Sequence, residues 1–240
     1  MPAPAPESLP AIVSARFISL QSPLMPNRAP FVTYDSTLLD HVSVGAASSA
    51  ARSSIRVASV LFLTASTAAA AQFSVHLPFT PVPATLQPMV VLIGAAALGA
   101  RLGASSQVLY LLLGIAGLPV FAASPILPQG MGRLLGPTGG YLLAYPFAAF
   151  ATGWLASRGF DRRYFSSVIA MFAGLCLVFL GGVGWLAFAV PGSDGPLGID
   201  RALSTGLYPF ILGDIVELCL ASAVLPVMWT IVDRSSNTRE

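Results

Sequence analysis

Long apolar stretches follow one another along most of this sequence, with very few charged residues between them. Only 9% of the 240 residues are charged and 55% are hydrophobic, whereas a soluble domain carries about 25% charged residues. A soluble core cannot bury this much apolar surface, so the composition indicates a polytopic membrane protein. Six stretches can each supply the roughly 17–25 residues of a membrane helix. The predicted spans are residues 56–77, 84–100, 104–122, 138–157, 164–190 and 202–232.

The sequence therefore predicts an all-α fold, with six transmembrane helices in one bundle over residues 55–233. A short break at residues 101–103 separates the second span from the third. A short cytoplasmic tail, residues 234–240, is expected after the bundle. Residues 1–54 are rich in Pro and Ser and contain no long apolar run, so a disordered extension is predicted. Its arginines leave two interpretations open, a plain cytoplasmic tail or an organellar transit peptide.

Arginines are distributed unevenly between the two ends of the predicted bundle. If the N-terminus is cytoplasmic, eight arginines near the spans face the cytoplasm, and only Arg133 and Arg201 face outward. Because Lys and Arg concentrate in cytoplasmic loops, we predict an integral membrane protein with both termini in the cytoplasm. The plasma membrane is the predicted location, with an organellar membrane as the alternative. The connections at 78–83, 123–137 and 191–201 are then on the outer side.

Two carboxylic acids lie three residues apart in the last predicted span. Asp214 and Glu217 share one helix face, because residues i and i+3 are neighbours on a helix surface. A carboxylate near the bilayer centre costs several kcal/mol, so such residues normally face a bundle interior or a cavity. The pair is therefore predicted to form part of a polar ligand site or a proton relay. The alternative is a structural pair that shares a proton.

A proline-rich connection on the predicted outer side combines helix-breaking residues with polar side chains. The segment from Pro78 to Pro88 cannot continue a helix, and it offers Thr85 and Gln87 as hydrogen-bonding groups. Irregular backbone near membrane depth is tolerated where it is buried in protein or lines a cavity. The segment is therefore either a cavity wall or an ordinary surface turn.

A second outer connection, GLPVFAASPILPQGMGRLLGPTGGYL, runs over residues 117–142. Thr138 is placed to cap the helix that follows. The free N–H groups at the start of that helix suit an anionic ligand group, and Arg133 adds a positive charge. Turn residues of this kind are common in loops, so a loop without a ligand is the alternative.

Small residues recur at a spacing of four in the first predicted span, as at Ala65 and Ala69. Such a spacing lets another helix approach closely. The approaching helix belongs either to the same bundle or to a partner subunit. Both interpretations are kept at this point.

The sequence lacks the motifs of several kinds of chemistry. There is no phosphate-binding glycine–lysine motif, so the chain is not expected to hydrolyse ATP. His41 and His76 stand alone and both cysteines lie in apolar segments, so no metal or cofactor is predicted. No hydrolase motif is present, and an enzyme is not expected. A net charge of +2 is too small to suggest nucleic acid as a partner.

Four segments, taken in order, resemble the BioY family, the substrate-binding (S) components of biotin transporters of the energy-coupling-factor (ECF) type. The resemblance extends over about residues 56–232, and PVPATLQ and GPTGGYL are its most specific pieces. The four segments are AAAAQFSVHLPFTPVPATLQ (68–87), YLLLGIAGLPVFA (110–122), LLGPTGGYL (134–142) and PFILGDIVEL (209–218).

The resemblance implies a six-helix membrane bundle that binds biotin in an outward-facing pocket and serves its uptake. In the family, the last helix carries a Gly-Asp pair and, three residues after the Asp, a Lys; both side chains contact the biotin head. Asp214 matches the Asp, but Glu217 occupies the Lys position. Asp214 is then expected to accept from a ureido N–H group. Glu217 either accepts from the other N–H or, when protonated, donates to the ureido carbonyl.

Further contacts are expected from the outer connections. Backbone N–H groups near Thr138 or Arg133 are expected to meet the biotin carboxylate. An apolar pocket with a few polar groups suits a ligand with polar ends. The remaining predicted binding residues are Thr85, Gln87, Tyr141 and Ser124.

The family's first helix docks a transmembrane coupling subunit, which is joined to two ATPase subunits, through a small-residue motif. Ala65 and Ala69, or the overlapping Ala68 and Gln72, are the expected counterpart here. Biotin and the lipid bilayer are thus the predicted partners, and whether the coupling and ATPase subunits are also needed is left open. Three rivals remain: a solitary proton-coupled carrier of biotin or a related small carboxylate, an intramembrane enzyme that uses the acid pair, and a structural subunit without a ligand.

Overall fold

The structure, a computed structural model, describes residues 37–43, 48–124, 129–192 and 195–237. Over these residues the chain forms nine α-helices and two very short hairpins. The helices are α1 (Leu38–Ser43), α2 (Ser49–Gln72), α3 (Gln87–Leu98), α4 (Ala100–Ile115), α5 (Met131–Leu135), α6 (Gly139–Leu155), α7 (Tyr164–Phe188), α8 (Ile199–Gly206) and α9 (Tyr208–Asn237).

Membrane-spanning capacity differs among these helices. In the described part of the chain, three are long and apolar enough to cross a bilayer: α2, α7 and the Tyr208–Val232 part of α9. α3 and α4 are apolar but have only 12 and 16 residues, fewer than the ~20 of a typical span. The predicted all-α membrane fold is confirmed, whereas the count of six membrane-crossing helices stays a prediction.

The break between the second and third predicted spans lies at Gly99, not at residues 101–103. Gly99 has a φ of +84°, a backbone conformation that glycine adopts without steric cost. It ends α3 and allows α4 to start at Ala100. Arg101 is therefore inside α4. Gly103 packs directly against α3, where an added Cβ would lie 2.9 Å from the Cα of Ala95.

The ordered bundle begins earlier than the sequence predicts. α2 starts at Ser49. Ser48 caps this helix, because its hydroxyl accepts a hydrogen bond from the N–H of Ala51. Before it, α1 buries Leu38 in the core. The predicted extension thus includes helical residues at 38–43 and 49–54, and it stays a prediction for residues 1–36 and 44–47, which lie outside the described part of the chain.

α6 and α7 pack closely through glycines. Gly140 lies against Gly181 and Trp185 of α7, and an added Cβ there would overlap both. The indole N–H of Trp185 also donates to the carbonyl of Gly136 at 3.0 Å. The start of α6 is therefore held against the end of α7, next to the connection that carries α5.

The last predicted span is interrupted at Leu207. Its φ of −120° and ψ of −61° separate α8 from α9. Pro209 falls in the first turn of α9, where a missing N–H costs nothing. α8 is a short helix at the same end of the bundle as the start of α9.

The proline-rich connection folds over this end of the bundle. A two-residue hairpin pairs Ser74–Val75 with Ala84–Thr85 and closes the loop between α2 and α3. The hydroxyl of Thr80 donates to the carbonyl of Thr205 in α8 at 2.6 Å. This hydrogen bond fixes the loop between α2 and α3 to α8. A second hairpin, Pro191–Gly192 with Gly195–Pro196, lies between α7 and α8.

Candidate ligand-binding site

A cavity lies at the end of the bundle where the predicted outer connections meet. It has a volume of about 60 Å³ for water, and about 620 Å³ of empty space when its open mouth is included. Six of the eight predicted binding residues line it: Thr85, Gln87, Arg133, Thr138, Tyr141 and Asp214.

Arg133 is the cationic residue of the cavity wall. It is only 2% exposed, and its Nη2 donates to the carbonyl of Ala122 at 2.7 Å. Its Nε is buried and has no hydrogen-bond partner among the described residues. Burial lowers the pKa of the Arg133 guanidinium, but arginine remains protonated in proteins. The cavity therefore contains a fixed positive charge with donor capacity to spare.

Gln87 is held in place by a buried hydrogen-bond chain. Its Nε2 donates to the Tyr110 hydroxyl at 2.7 Å, and this hydroxyl donates to the carbonyl of Val120 at 3.2 Å. The Thr85 hydroxyl lies 3.5 Å from Oε1 of Gln87 and donates to it. Because Gln87 and Thr85 lie at the end of the proline-rich loop, the loop lines the cavity as one of the two sequence interpretations predicts.

Tyr141 and Thr138 are placed by the start of α6. The Tyr141 hydroxyl donates to the carbonyl of Gly206 at 2.6 Å, which links α6 to the end of α8. Thr138 precedes α6, but it makes no capping hydrogen bond. Its hydroxyl instead donates to the carbonyl of Arg133 at 3.5 Å. The predicted side-chain cap is therefore wrong, because the Thr138 hydroxyl turns back toward α5.

Only one of the two acids of α9 lines the cavity. Asp214 lines the cavity, whereas Glu217 lines a smaller adjoining pocket of about 10 Å³ with Asp214 and Pro88. Oε2 of Glu217 is buried and accepts no hydrogen bond from the described residues. Asp214 is thus the acid in direct contact with the cavity, and Glu217 lies beside it.

Apolar and aromatic residues complete the cavity. Ser124, a predicted binding residue, is not among its lining residues. Tyr145 does line it. The sequence could have predicted this, because Tyr145 lies one helical turn after Tyr141. Phe121, Phe179 and Phe210 also line the cavity, and nothing in the sequence distinguishes them from other apolar residues of the bundle.

Ala65 and Ala69 lie on the outer surface of α2, where both are exposed. Their exposed neighbours Phe62 and Phe73 flank a shallow stripe of small side chains. These two alanines are therefore not used for packing inside the described bundle.

The arrangement suits binding better than catalysis. The cavity pairs one cation, Arg133, with one acid, Asp214, and surrounds both with mostly apolar and aromatic side chains. No group of three His, Cys, Asp or Glu residues that could hold a metal ion occurs in the described ranges. Such a wall can recognise a largely apolar molecule that carries an anionic group and N–H donors.

Known proteins are similar to this chain in sequence. A model of the BioY family matches residues 43–234. The probable biotin transporter BioY of Pyrococcus horikoshii is 39% identical over 165 residues, which are 69% of this chain and 90% of that protein. The biotin transporter BioY of Thermotoga maritima is 36% identical over 151 residues, 62% of this chain and 82% of its own length.

A solved structure is similar as well. The crystal structure of the S-component for biotin from an ECF-type ABC transporter matches with a TM-score of 0.63 and 27% identity, and the match covers 73% of this chain and 90% of the solved one. The resemblance found in the sequence motifs is thereby confirmed. With the family model extending over most of the chain, from residue 43 to residue 234, this protein belongs to the BioY family.

Proposed function

We propose that this protein is a membrane transport subunit that binds biotin in the cavity and serves its uptake. The observation that carries the proposal is the buried Arg133 in one cavity with Asp214, since biotin has a carboxylate at one end and ureido N–H groups at the other. The names of the relatives, biotin transporters, support the same ligand. The activity is transport, not catalysis.

Each end of biotin has a matching group in the cavity. The carboxylate accepts hydrogen bonds from the guanidinium of Arg133, whose Nε makes no other hydrogen bond within the described chain. The ureido ring donates an N–H to Asp214. The apolar bicyclic ring and chain pack on Phe121, Phe179 and Tyr145. Charge-assisted hydrogen bonds of this kind contribute about 1.5–3 kcal/mol each.

Equilibrium binding of biotin to the purified protein in detergent, without any partner or ATP, tests this function. Wild type is expected to bind, and Asp214→Ala is expected to bind roughly 10- to 150-fold more weakly, the equivalent of about 1.5–3 kcal/mol. Asp200→Asn is the control, because this exposed acid of α8 lies outside the cavity. No binding by wild type contradicts the function, and wild-type affinity in Asp214→Ala and Asp214→Asn contradicts the role of Asp214.

The proposal includes a partner assembly. The exposed Ala65 and Ala69 form the surface on which a transmembrane coupling subunit, joined to two ATPases, docks. Ala69→Phe is expected to reduce co-purification with these subunits, while Ala223→Phe, an exposed alanine of α9, leaves it unchanged. Equal recovery with both variants would contradict this docking surface.

The cavity faces the outside of the plasma membrane in this proposal, and both termini are cytoplasmic. The uneven distribution of arginines supports this orientation. A reporter that is active only in the cytoplasm, fused after the C-terminus, is expected to be active. An inactive reporter on a protein that still binds biotin would reverse the orientation.

A further inference from the structure

A long groove runs along the side of the bundle, between α7, α8 and α9. One helical face of α7, from Phe172 to Phe188, forms its floor. At a rise of about 1.5 Å per residue, this face is about 24 Å long. The groove has a volume of about 630 Å³, which is far larger than a gap between side chains.

The groove wall is apolar along this length. Its lining consists of aliphatic, aromatic and small residues, with Asp214 as the one ionisable carboxylate and Cys176 as a weakly polar thiol. Apolar cavities do not retain water, because water needs several polar partners. In a bilayer, the space is therefore filled by hydrocarbon or by another protein.

α8 forms the wall of the groove at one end. Ile199, Leu203 and Leu207 lie one helical turn apart and all line the groove. Asp200 and Arg201 occupy the other side of this short helix, and Arg201 is exposed. A helix that is apolar on one side and charged on the other is typical of the membrane interface. The groove thus opens at the level where lipid head groups lie and extends toward the bilayer interior.

The groove and the ligand cavity share a thin wall. Phe179 and Asp214 line both spaces, so the two side chains contact the cavity on one side and the groove on the other. Gly184 lies in the groove, and an added Cβ at this position would meet no atom within 4 Å. The groove is consequently open space at that point.

From its length, its apolar wall and its interfacial end, we propose that this groove binds one acyl chain of a membrane lipid. The chain enters beside α8 and lies along α7, past the wall of Phe179 and Asp214, toward Phe172. A compact ligand would leave most of the 24 Å length (~1.5 Å per residue) empty, whereas an extended hydrocarbon chain matches its shape. A bound chain supports that wall of the ligand cavity from the membrane side.

Photolabelling of the full-length protein in phosphatidylcholine vesicles tests the proposal. The probe is a phosphatidylcholine with a diazirine in one acyl chain, and mass spectrometry maps the labelled peptides. We expect more adducts around Cys176 and Gly184 than around Cys219, an exposed position of α9 in contact with ordinary lipid. Equal or lower labelling in the groove overturns the proposal and indicates that protein, or lipid no different from the surrounding bilayer, covers it.

Filling the groove provides the second measurement. Gly184→Trp is expected to reduce groove adducts to the level found at the exposed face of α9. Gly213→Trp is the matched control, because an added Cβ at Gly213 also meets no atom within 4 Å and Gly213 is not in the groove. Unchanged groove labelling in Gly184→Trp overturns the proposal. The labelling needs no biotin, so its outcome is independent of the proposed transport function.

Discussion

Replacing Arg133 by Gln separates the recognition of the biotin carboxylate from the packing of the cavity wall. Gln removes the positive charge, and because its side chain is shorter than that of Arg it also gives up the hydrogen bond from Nη2 to the carbonyl of Ala122 at 2.7 Å. The side chain is 2% exposed, so the bulk solvent does not screen the charge. The part of its effect that depends on the negative charge of the ligand reports the interaction between the guanidinium and an anionic ligand.

The expected magnitude follows from the hydrogen bonds available at Arg133. Nη2 is occupied by Ala122, while Nε is buried with no acceptor in the described residues. A hydrogen bond from this charged group to a carboxylate is worth about 1.5–3 kcal/mol. At about 1.4 kcal/mol per factor of ten, Arg133→Gln should weaken biotin binding roughly 10- to 150-fold.

Isothermal titration calorimetry with two ligands makes the test specific. Biotin should lose more affinity for Arg133→Gln than biotin amide, which has no carboxylate charge. Arg201→Gln, at an exposed arginine of α8, is the control and should bind both ligands like wild type. An equal loss for biotin and biotin amide would refute the reasoning, since Arg133 would then only support the wall.

Two further predictions concern stability. Gly140→Ala should lower the thermal midpoint of unfolding, because the added Cβ would overlap α7 and overpacking costs about 1–3 kcal/mol. Gly184→Ala is the control and should leave the midpoint unchanged, because its Cβ would meet open space. Equal midpoints for the two variants would contradict this prediction. Burial raises the pKa of Asp161 above 3.8, although the Trp229 indole N–H and Arg162 oppose the shift. The folded state then disfavours the charged carboxylate, so stability decreases as the pH rises above 3.8. The midpoint of wild type should fall relative to Asp161→Asn as the pH rises above 3.8, and a constant difference would show that the pKa is not raised.

Helix positions were predictable from the sequence because hydropathy is a property of long segments. The interruptions were harder, since they depend on single residues in their tertiary context. Gly99 ends α3 through a positive φ, but many glycines in this chain lie within helices. The last predicted span is broken at Leu207, although the composition of this span favours one helix. The carbonyls of Gly206 and Thr205, at the end of α8, accept hydrogen bonds from Tyr141 and Thr80 there.

The polar part of the ligand site was more predictable than its apolar part. A charged or amide side chain inside a membrane segment is rare, so Asp214 and Gln87 stand out from their surroundings. Phe179 and Phe210 line the same cavity, yet a phenylalanine in an apolar helix has many equivalent positions. Only the packing of α7 against α6 and α9 selects which aromatic side chains face the cavity.

The acid pair shows why a shared helix face does not guarantee a shared site. Three residues separate Asp214 from Glu217, which corresponds to about 4.5 Å along the axis of α9. Pro88 and Asp214 line the cavity and also the smaller pocket that contains Glu217. Asp214 therefore meets both spaces, whereas Glu217 lines only the smaller one. If Asp214 binds the ureido ring, Glu217 acts on the ligand only through Asp214, so the acid at the family's Lys position is compatible with the same ligand.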